Sequence, residues 1–214
     1  MNINKKTKLT FVLCFSAIFS ATAFGFSTNQ LDQSYRKLGF AYSTLEHSDL
    51  PEVDADGFSL FWMNSDYSES LVTGVGFSYT YIDAGIIDAG LLSTSTQIGY
   101  RVKLSDYAEL VPLVGFSYNS IISGGYTVAD IWAVAYGSSA KLALTEYTVL
   151  SASIIGQSGD WDSWVSGLDG QSAKSLVYSI SIEQFIGDSS SISLSYATDN
   201  LGLKGLSFGY NFLL

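Results

Sequence analysis

The sequence predicts an all-β protein, a closed antiparallel up-and-down β-barrel of about ten strands that crosses a membrane, with eight strands as the alternative. Apolar residues alternate with small or polar residues at a period of two, and this alternation returns about every 18 residues, which is typical of strands. Charged residues make up only 14% of the 214 residues, against roughly 25% in soluble chains. The composition argues against an ordinary cytosolic enzyme. A net charge of −10 argues against a nucleic-acid partner, because phosphates need a basic surface.

The first 23 residues have the order of a secretory signal peptide. Three lysines precede an uncharged apolar run, Leu9–Phe19, and small residues then lead to a predicted cleavage site after Ala23. The run is shorter than the roughly 20 residues that a membrane-spanning helix needs. We expect residues 1–23 to be removed and residues 24–214 to form one barrel domain. The lone Cys14 lies in the signal, so the mature chain has no cysteine and 7 basic against 20 acidic residues.

Each predicted strand carries its large side chains on one face. These faces comprise Leu38, Phe40, Tyr42; Phe58, Leu60, Trp62; Val75, Phe77, Tyr79, Tyr81; Ile98, Tyr100, Val102, Leu104; Val114, Phe116, Tyr118; Val134, Tyr136, Ala140, Leu142; Leu176, Tyr178, Ile180, Ile182; Ile192, Leu194, Tyr196; and Leu206, Phe208, Tyr210, Phe212, Leu214. Residues 146–156 fit a tenth strand less cleanly. The opposite faces carry mainly Gly, Ser, Ala, Thr and Asn, which predicts a wall that is apolar outside and polar inside. A sheet that faces lipid must close, because unpaired backbone groups are costly in hydrocarbon.

The connections alternate in length. Short turns are predicted at Ser105–Asp106, Thr145–Glu146 and Gly187–Ser190, with a somewhat longer one at Asn64–Ser70; long segments are predicted at His47–Asp56, Asp83–Leu91, Ile122–Ala129 and Gln157–Ala173. Short turns on one rim and long loops on the other are typical of outer-membrane barrels. An even strand count then places both termini in the periplasm and the long loops outside the cell.

The chain ends on Leu206, Phe208, Tyr210, Phe212 and Leu214, which alternate to the last residue. With this ending and architecture, the chain resembles the small outer-membrane β-barrel proteins of Gram-negative bacteria, the OmpA/OmpX-like group. The resemblance implies an outer-membrane location, contact with lipid and lipopolysaccharide, and a terminal β-signal that the barrel assembly machinery reads during biogenesis. The family usually ends in Phe or Trp, and Leu214 departs from that pattern.

Strand phase places a group of charged residues inside the barrel, all near the periplasmic ends of their strands: Lys37, Arg101, Lys103, Lys141 and Glu183. Enclosed charges need partners or water. One interpretation is a salt-bridged plug that contains water, and the other is a narrow, positively biased pore that attracts anions. Eight strands leave an interior just filled by side chains and porins use about 16, so ten strands leave both interpretations open.

Few residues suggest catalysis or metal binding. His47, the only histidine, precedes Ser48 and Asp49 and is a weak candidate for the lipid A-modifying chemistry found on some barrels. The mature chain has no His or Cys cluster for a transition metal. Asp49, Glu52, Asp54 and Asp56 form an acidic segment without a calcium-loop consensus. We therefore expect no cofactor and no dedicated metal site.

Aromatic residues near the strand ends have two interpretations. Trp161 and Trp164 fall in the longest predicted loop, where they could be contacts for a ligand or part of the aromatic girdle at the membrane surface. A second group is predicted to belong to the girdle: Tyr42, Trp62, Tyr81, Tyr100 and Tyr118.

The sequence thus favours a non-enzymatic outer-membrane barrel with a structural or surface-interaction role through its extracellular loops. A narrow, porin-like, anion-biased channel for small solutes is the alternative, and a lipid A-modifying enzyme is a weaker one. The sequence does not identify an external ligand.

Overall fold

The computed structural model describes residues 37–48, 54–65, 70–83, 88–163 and 172–214. The signal peptide predicted over residues 1–23 lies outside these ranges. The described part of the chain contains no helix that is long and apolar enough to cross a membrane.

The described residues form ten antiparallel strands in one sheet. The strands are β1 (Lys37–His47), β2 (Asp54–Ser65), β3 (Leu71–Asp83), β4 (Asp88–Tyr100, continued after Arg101 as Val102–Ser105), β5 (Ala108–Ser123), β6 (Tyr126–Thr145), β7 (Thr148–Ser163), β8 (Ser172–Ile186), β9 (Ser190–Asp199) and β10 (Leu203–Leu213). Each strand pairs with its neighbour in sequence, and β10 pairs with β1 from Lys37↔Leu213 to His47↔Leu203. The predicted closed antiparallel barrel is confirmed, with ten strands rather than eight.

Side chains alternate between the two faces of the wall, as period-two patterning dictates. In β1 every second residue from Lys37 is buried and the residues between them are exposed. The large residues of the predicted outward faces are exposed or half-buried on the outer wall; Phe58 is 52% exposed and Phe208 56%. In water such a surface would drive aggregation, whereas in a bilayer it is the face that hydrocarbon solvates.

The two ends of the barrel differ. We call the end with the first residue of β1 and the last residue of β10 the terminal rim; its turns include residues 106–107, 146–147 and 187–189. We call the opposite end the loop rim.

One long loop predicted for the loop rim is wrong, and so is the predicted start of another. Within Ile122–Ala129 the structure has a two-residue turn, Gly124–Gly125, whose positive φ values of 60° and 84° suit a tight hairpin because glycine has no Cβ to oppose them. Within Gln157–Ala173, β7 continues to Ser163. Strand pairing extends further than alternation suggests, because backbone hydrogen bonds do not require alternating side chains. As a result β5–β8 have 15 to 20 residues, against 10 to 13 in β1–β3, β9 and β10.

The wall has one internal interruption, between β4 and β5. The ladder stops after Gly99↔Leu113 and resumes in the same register at Val102↔Leu110, so no residue is inserted and the interruption is not a bulge. Pro112 lies directly in the gap. Proline has no N–H, so it cannot make the ladder bond toward Tyr100. Its pairing with Ser138 of β6 persists, because a residue in an antiparallel ladder directs its N–H to one neighbour only.

Candidate functional site

A layer of buried charge crosses the interior near the terminal rim, and its first half joins the two ends of the chain. Lys37, the first residue of β1, places its Nζ 3.2 Å from a carboxylate oxygen of Glu183 in β8. The same carboxylate accepts hydrogen bonds from Asn211 Nδ2 of β10 at 3.0 Å and from the Ser191 hydroxyl of β9. The Lys37 ammonium also lies 5.7 Å from the ring centroid of Phe61. Both charged side chains are at least 95% buried, so this network spans four strands across the seam where β10 meets β1.

Arg101 and Glu109 form the second half. Arg101 Nη2 lies 2.9 Å from Glu109 Oε2, and Arg101 Nε donates a hydrogen bond of 3.0 Å to the same oxygen. Glu109 is 1% exposed and was not among the charged residues predicted to face the interior. The alternation along the strand predicts an inward side chain for Glu109, because it is two residues from the inward Val111 and lies between residues whose side chains are on the outer wall.

Lys141 lies between these two halves. Its side chain is 2% exposed and stands directly opposite Glu109 in the β5–β6 register. It interacts electrostatically with both carboxylates and with the two other cations. Three buried basic side chains therefore share two buried carboxylates. Such an arrangement holds strands at fixed positions, because separating any pair would leave a buried charge unbalanced.

The fifth residue predicted for this cluster, Lys103, is not part of the buried layer. Its side chain is exposed, although the register places it opposite the buried Glu109. Lys103 lies at a register irregularity, Lys103/Ser105, and there its side chain reaches solvent.

The interior above the charged layer is not uniformly polar, contrary to the sequence prediction. Small polar residues line the middle, among them Ser43, Ser59, Ser78, Thr80, Ser93, Ser117, Asn119, Gln157, Ser195 and Ser207. Buried apolar residues also occur beside the charged layer, such as Phe61 and Met63 near Lys37. Those nearer the loop rim form a group that we call the apolar cap: Leu45, Ala55, Ile82, Leu91, Ile121, Ala129, Ile131, Ala173, Ala197 and Leu203.

Two small spaces lie inside the described part of the barrel. Two cavities in the described region have volumes of about 20 and 10 Å³, and Gln157 lines both. A buried water needs a cavity of about 10–15 Å³ by this measure, so each cavity accommodates about one water molecule. The interior is therefore packed in the way expected for a small barrel.

His47 lies at the loop rim, on the inner face of β1. It is 8% exposed and stands opposite Leu203 of β10, so it is a buried strand residue and not a solvated loop residue. Ser48 donates its hydroxyl to the carbonyl of Gly202 at 2.9 Å, and Asp49 lies outside the described residues.

The predicted acidic segment is only partly described. Asp54 and Asp56 are exposed on the outer wall, and Asp56 accepts a 2.7 Å hydrogen bond from Tyr42. Asp49 and Glu52 lie outside the described residues. Among the residues that the structure describes, no three His, Cys, Asp or Glu side chains are grouped so that they could hold a metal ion.

The predicted assembly-signal residues lie on the outer wall along β10, and the last of them is at the terminal rim. Leu206, Phe208, Phe212 and Leu214 are exposed, and Tyr210 is half-buried. Phe40 of β1 contacts the Tyr210 and Phe212 rings, at centroid distances of 5.7 and 6.3 Å. The aromatic side chains of β10, the strand predicted to hold the assembly signal, therefore contact β1 across the seam that closes the barrel.

The predicted girdle residues also lie on the outer wall. Tyr42, Trp62, Tyr81 and Tyr100 are exposed, and Tyr118 is half-buried against Trp132, with ring centroids 4.8 Å apart. Of the two tryptophans predicted in a loop, Trp161 belongs to β7, where it pairs with Ile131, and Trp164 lies outside the described residues.

Comparison with known proteins supports the fold at low sequence identity. No protein-family model matches the chain, and a search of curated proteins found no match. The translocator domain of the autotransporter NalP from Neisseria meningitidis is 12% identical, with 98% of this chain and 97% of that chain covered and a TM-score of 0.51. The β domain of the Bordetella autotransporter BrkA is 9% identical, with 84% and 99% covered and a TM-score of 0.51. The chain therefore has the closed antiparallel fold of outer-membrane β-barrels, whereas membership of the OmpA/OmpX-like group remains a prediction.

Proposed function

We propose that this protein is a non-enzymatic barrel of the Gram-negative outer membrane that does not conduct solutes and acts through the surface at its loop rim. The observation that carries the proposal is the filled interior. The charged layer near the terminal rim, small polar residues and buried apolar residues, including the apolar cap, occupy the interior. Two small cavities in the described region hold about one water each, which does not favour a solute path.

The proposal is tested by conductance in planar bilayers. The purified mature chain is expected to give no discrete steps. The charge-reversal variants Lys141→Glu and Arg101→Glu separate this role from the anion-biased channel, whose supporting observation is that three basic and two acidic side chains are buried in the layer. Steps that favour anions in the original chain and lose that preference in Lys141→Glu would establish the channel and overturn the proposed role.

We further propose that the loop rim faces outward and that both termini are periplasmic. Two exposed turn tyrosines provide a matched test, since Tyr126 at the loop rim is 78% exposed and Tyr107 at the terminal rim 61%. Because the mature chain is expected to lack cysteine, a membrane-impermeant maleimide should label Tyr126→Cys on intact cells. It should label Tyr107→Cys only after the outer membrane has been permeabilised. The opposite pattern would reverse the orientation.

The longer strands β5–β8 make the loop rim a structured surface rather than a set of loops alone. Around the β5–β6 turn this surface presents Tyr126, which is exposed, and Asp130, which is half-buried; Asp160 and Asp162 lie exposed on β7 nearby. Lipopolysaccharide surrounds this surface, the barrel assembly machinery acts on the chain during biogenesis, and the external ligand stays open.

Two other functions have less support. The NalP domain is named a translocator, but a packed interior does not favour passage of a polypeptide. For lipid A modification, His47 would need a nucleophile within reach, and the hydroxyl of the adjacent Ser48 is engaged with Gly202. Unchanged lipid A on mass spectrometry of cells with the original chain and with His47→Ala would dispose of the enzymatic alternative, and a mass change lost in His47→Ala would establish it.

A further inference from the structure

The interruption at Pro112 removes a backbone hydrogen bond from the wall, and its position differs from that of the other irregularities in strand pairing. The other described register irregularities lie beside turns, at Lys103/Ser105, Ile121/Ile122 and Ala143/Thr145. The gap between Gly99↔Leu113 and Val102↔Leu110 lies inside a ladder whose register does not change. By contrast, the β2–β3 ladder runs without a break from Asp54↔Asp83 to Ser65↔Val72.

Arg101 and Glu109, which form one of the two buried ion pairs, lie at this gap. Arg101 lies where β4 is interrupted, and Glu109 belongs to β5, three residues before Pro112. Their side chains meet across the seam at 2.9 Å on the inner face, where side chains of adjacent strands reach diagonal neighbours. On its other side, the Arg101 amide donates a 2.7 Å hydrogen bond to the carbonyl of Ser70. Arg101 is therefore anchored toward β3 by its backbone and toward β5 by its side chain.

The Arg101–Glu109 ion pair spans the gap on the inner face, and much of its surroundings is apolar. On the outer wall Tyr100, Val102 and Leu110 are exposed and apolar or aromatic. On the inner face Val111 is fully buried and packs so closely on Gly99 that a Cβ there would lie 2.8 Å from a Val111 methyl carbon. Apolar packing alone resists separation of two strands less sharply than a backbone ladder, because it has no directional bonds.

We propose that the β4–β5 seam is the place where the barrel wall opens laterally and that the Arg101–Glu109 pair is the latch that keeps it closed. The missing ladder bond at Pro112 lowers the resistance of the backbone, and the ion pair replaces that resistance from inside. Opening connects the hydrocarbon beside Tyr100 with the charged layer behind Arg101.

The test uses amide hydrogen exchange, read by mass spectrometry, on the mature chain in lipid nanodiscs. The latch is replaced by apolar residues in Arg101→Leu/Glu109→Leu, both alone and combined with Pro112→Ala, which restores the missing N–H. Residues 98–113 report on the seam, and residues 58–62 with 75–79 of β2–β3 serve as the control. We expect exchange at the seam to rise by about tenfold when the latch is lost, to return close to the original rate when Pro112→Ala is added, and to stay unchanged in β2–β3.

The design separates a latch from an ordinary buried ion pair. If the pair were merely structural, its apolar replacement would have the same effect whether Pro112 is kept or changed in Pro112→Ala, and that result would overturn the proposal, as would no rise at the seam. A latch variant that folds only when Pro112→Ala is also present would support it, and one that folds in neither background would overturn it. Glu109→Gln, which keeps the side-chain shape, provides a milder loss of the latch with the same expected rescue.

Discussion

Removal of the Glu183 carboxylate should destabilise the barrel more than loss of any exposed acid. Glu183 is 4% exposed and accepts from Lys37, Ser191 and Asn211. In Glu183→Ala the Lys37 ammonium stays in the interior, since Lys37 is 0% exposed, but its carboxylate is gone. An ammonium without its counter-charge in a low-dielectric interior raises the free energy of the folded state.

The expected cost is about 3–5 kcal/mol, the range observed when one member of a buried ion pair is removed. The exposed Glu46 provides a control, because it stands opposite Lys204 at the surface and Glu46→Ala should cost less than about 1 kcal/mol. Replacement of both partners in Lys37→Met/Glu183→Leu should cost far less than Glu183→Ala, because no unbalanced charge remains.

The free energy of unfolding is measured in urea by tryptophan fluorescence and by the gel migration of unheated samples, which reports the folded fraction of a barrel. If Glu183→Ala costs less than about 1 kcal/mol, water reaches Lys37 and the interior is not dry. If the double replacement costs as much as Glu183→Ala, the loss comes from packing. Either result would refute the reasoning from buried charge.

Three further predictions concern packing and backbone conformation. A Cβ at Gly137 would meet the backbone carbonyl of Ile154, which cannot move aside, so Gly137→Ala should lower the free energy of unfolding by about 1–3 kcal/mol; unchanged urea unfolding would contradict this. Gly125→Ala should lower the free energy of unfolding by about 1 kcal/mol because of its φ of 84°. Gly187, also at positive φ with open space around it, should show a similar loss in Gly187→Ala. The same unfolding assay measures both, and an unchanged free energy in Gly125→Ala would contradict the argument from φ. Leu45→Ala removes part of the apolar cap, where Leu45 is 2% exposed, and should cost about 2–5 kcal/mol; a neutral result by this assay would mean that the cap is loosely packed.

The charged layer illustrates how far phase reasoning reaches. Parity along a strand decides which face a side chain occupies, so Lys37, Arg101, Lys141 and Glu183 could be assigned to the interior without a structure. Parity does not give depth along the barrel axis, and for that reason Lys103 was grouped with residues that are buried. Parity also does not show which charged residues pair with each other. Lys37 and Glu183 are 146 residues apart and meet only because β10 closes on β1.

The sequence by itself determined the strands, their outward faces and the membrane-facing character of the wall, because a period of two is a local property of an extended backbone. Only the tertiary structure decided the depth of each side chain, the ion pairs and the apolar cap. The cap is assembled from one or two residues on nearly every strand, such as Leu45, Ile82 and Leu203, which look like isolated exceptions along the chain. Closure brings these ends together. Pro112, one residue without an N–H, becomes a gap only because β4 pairs with β5, which places it opposite Tyr100.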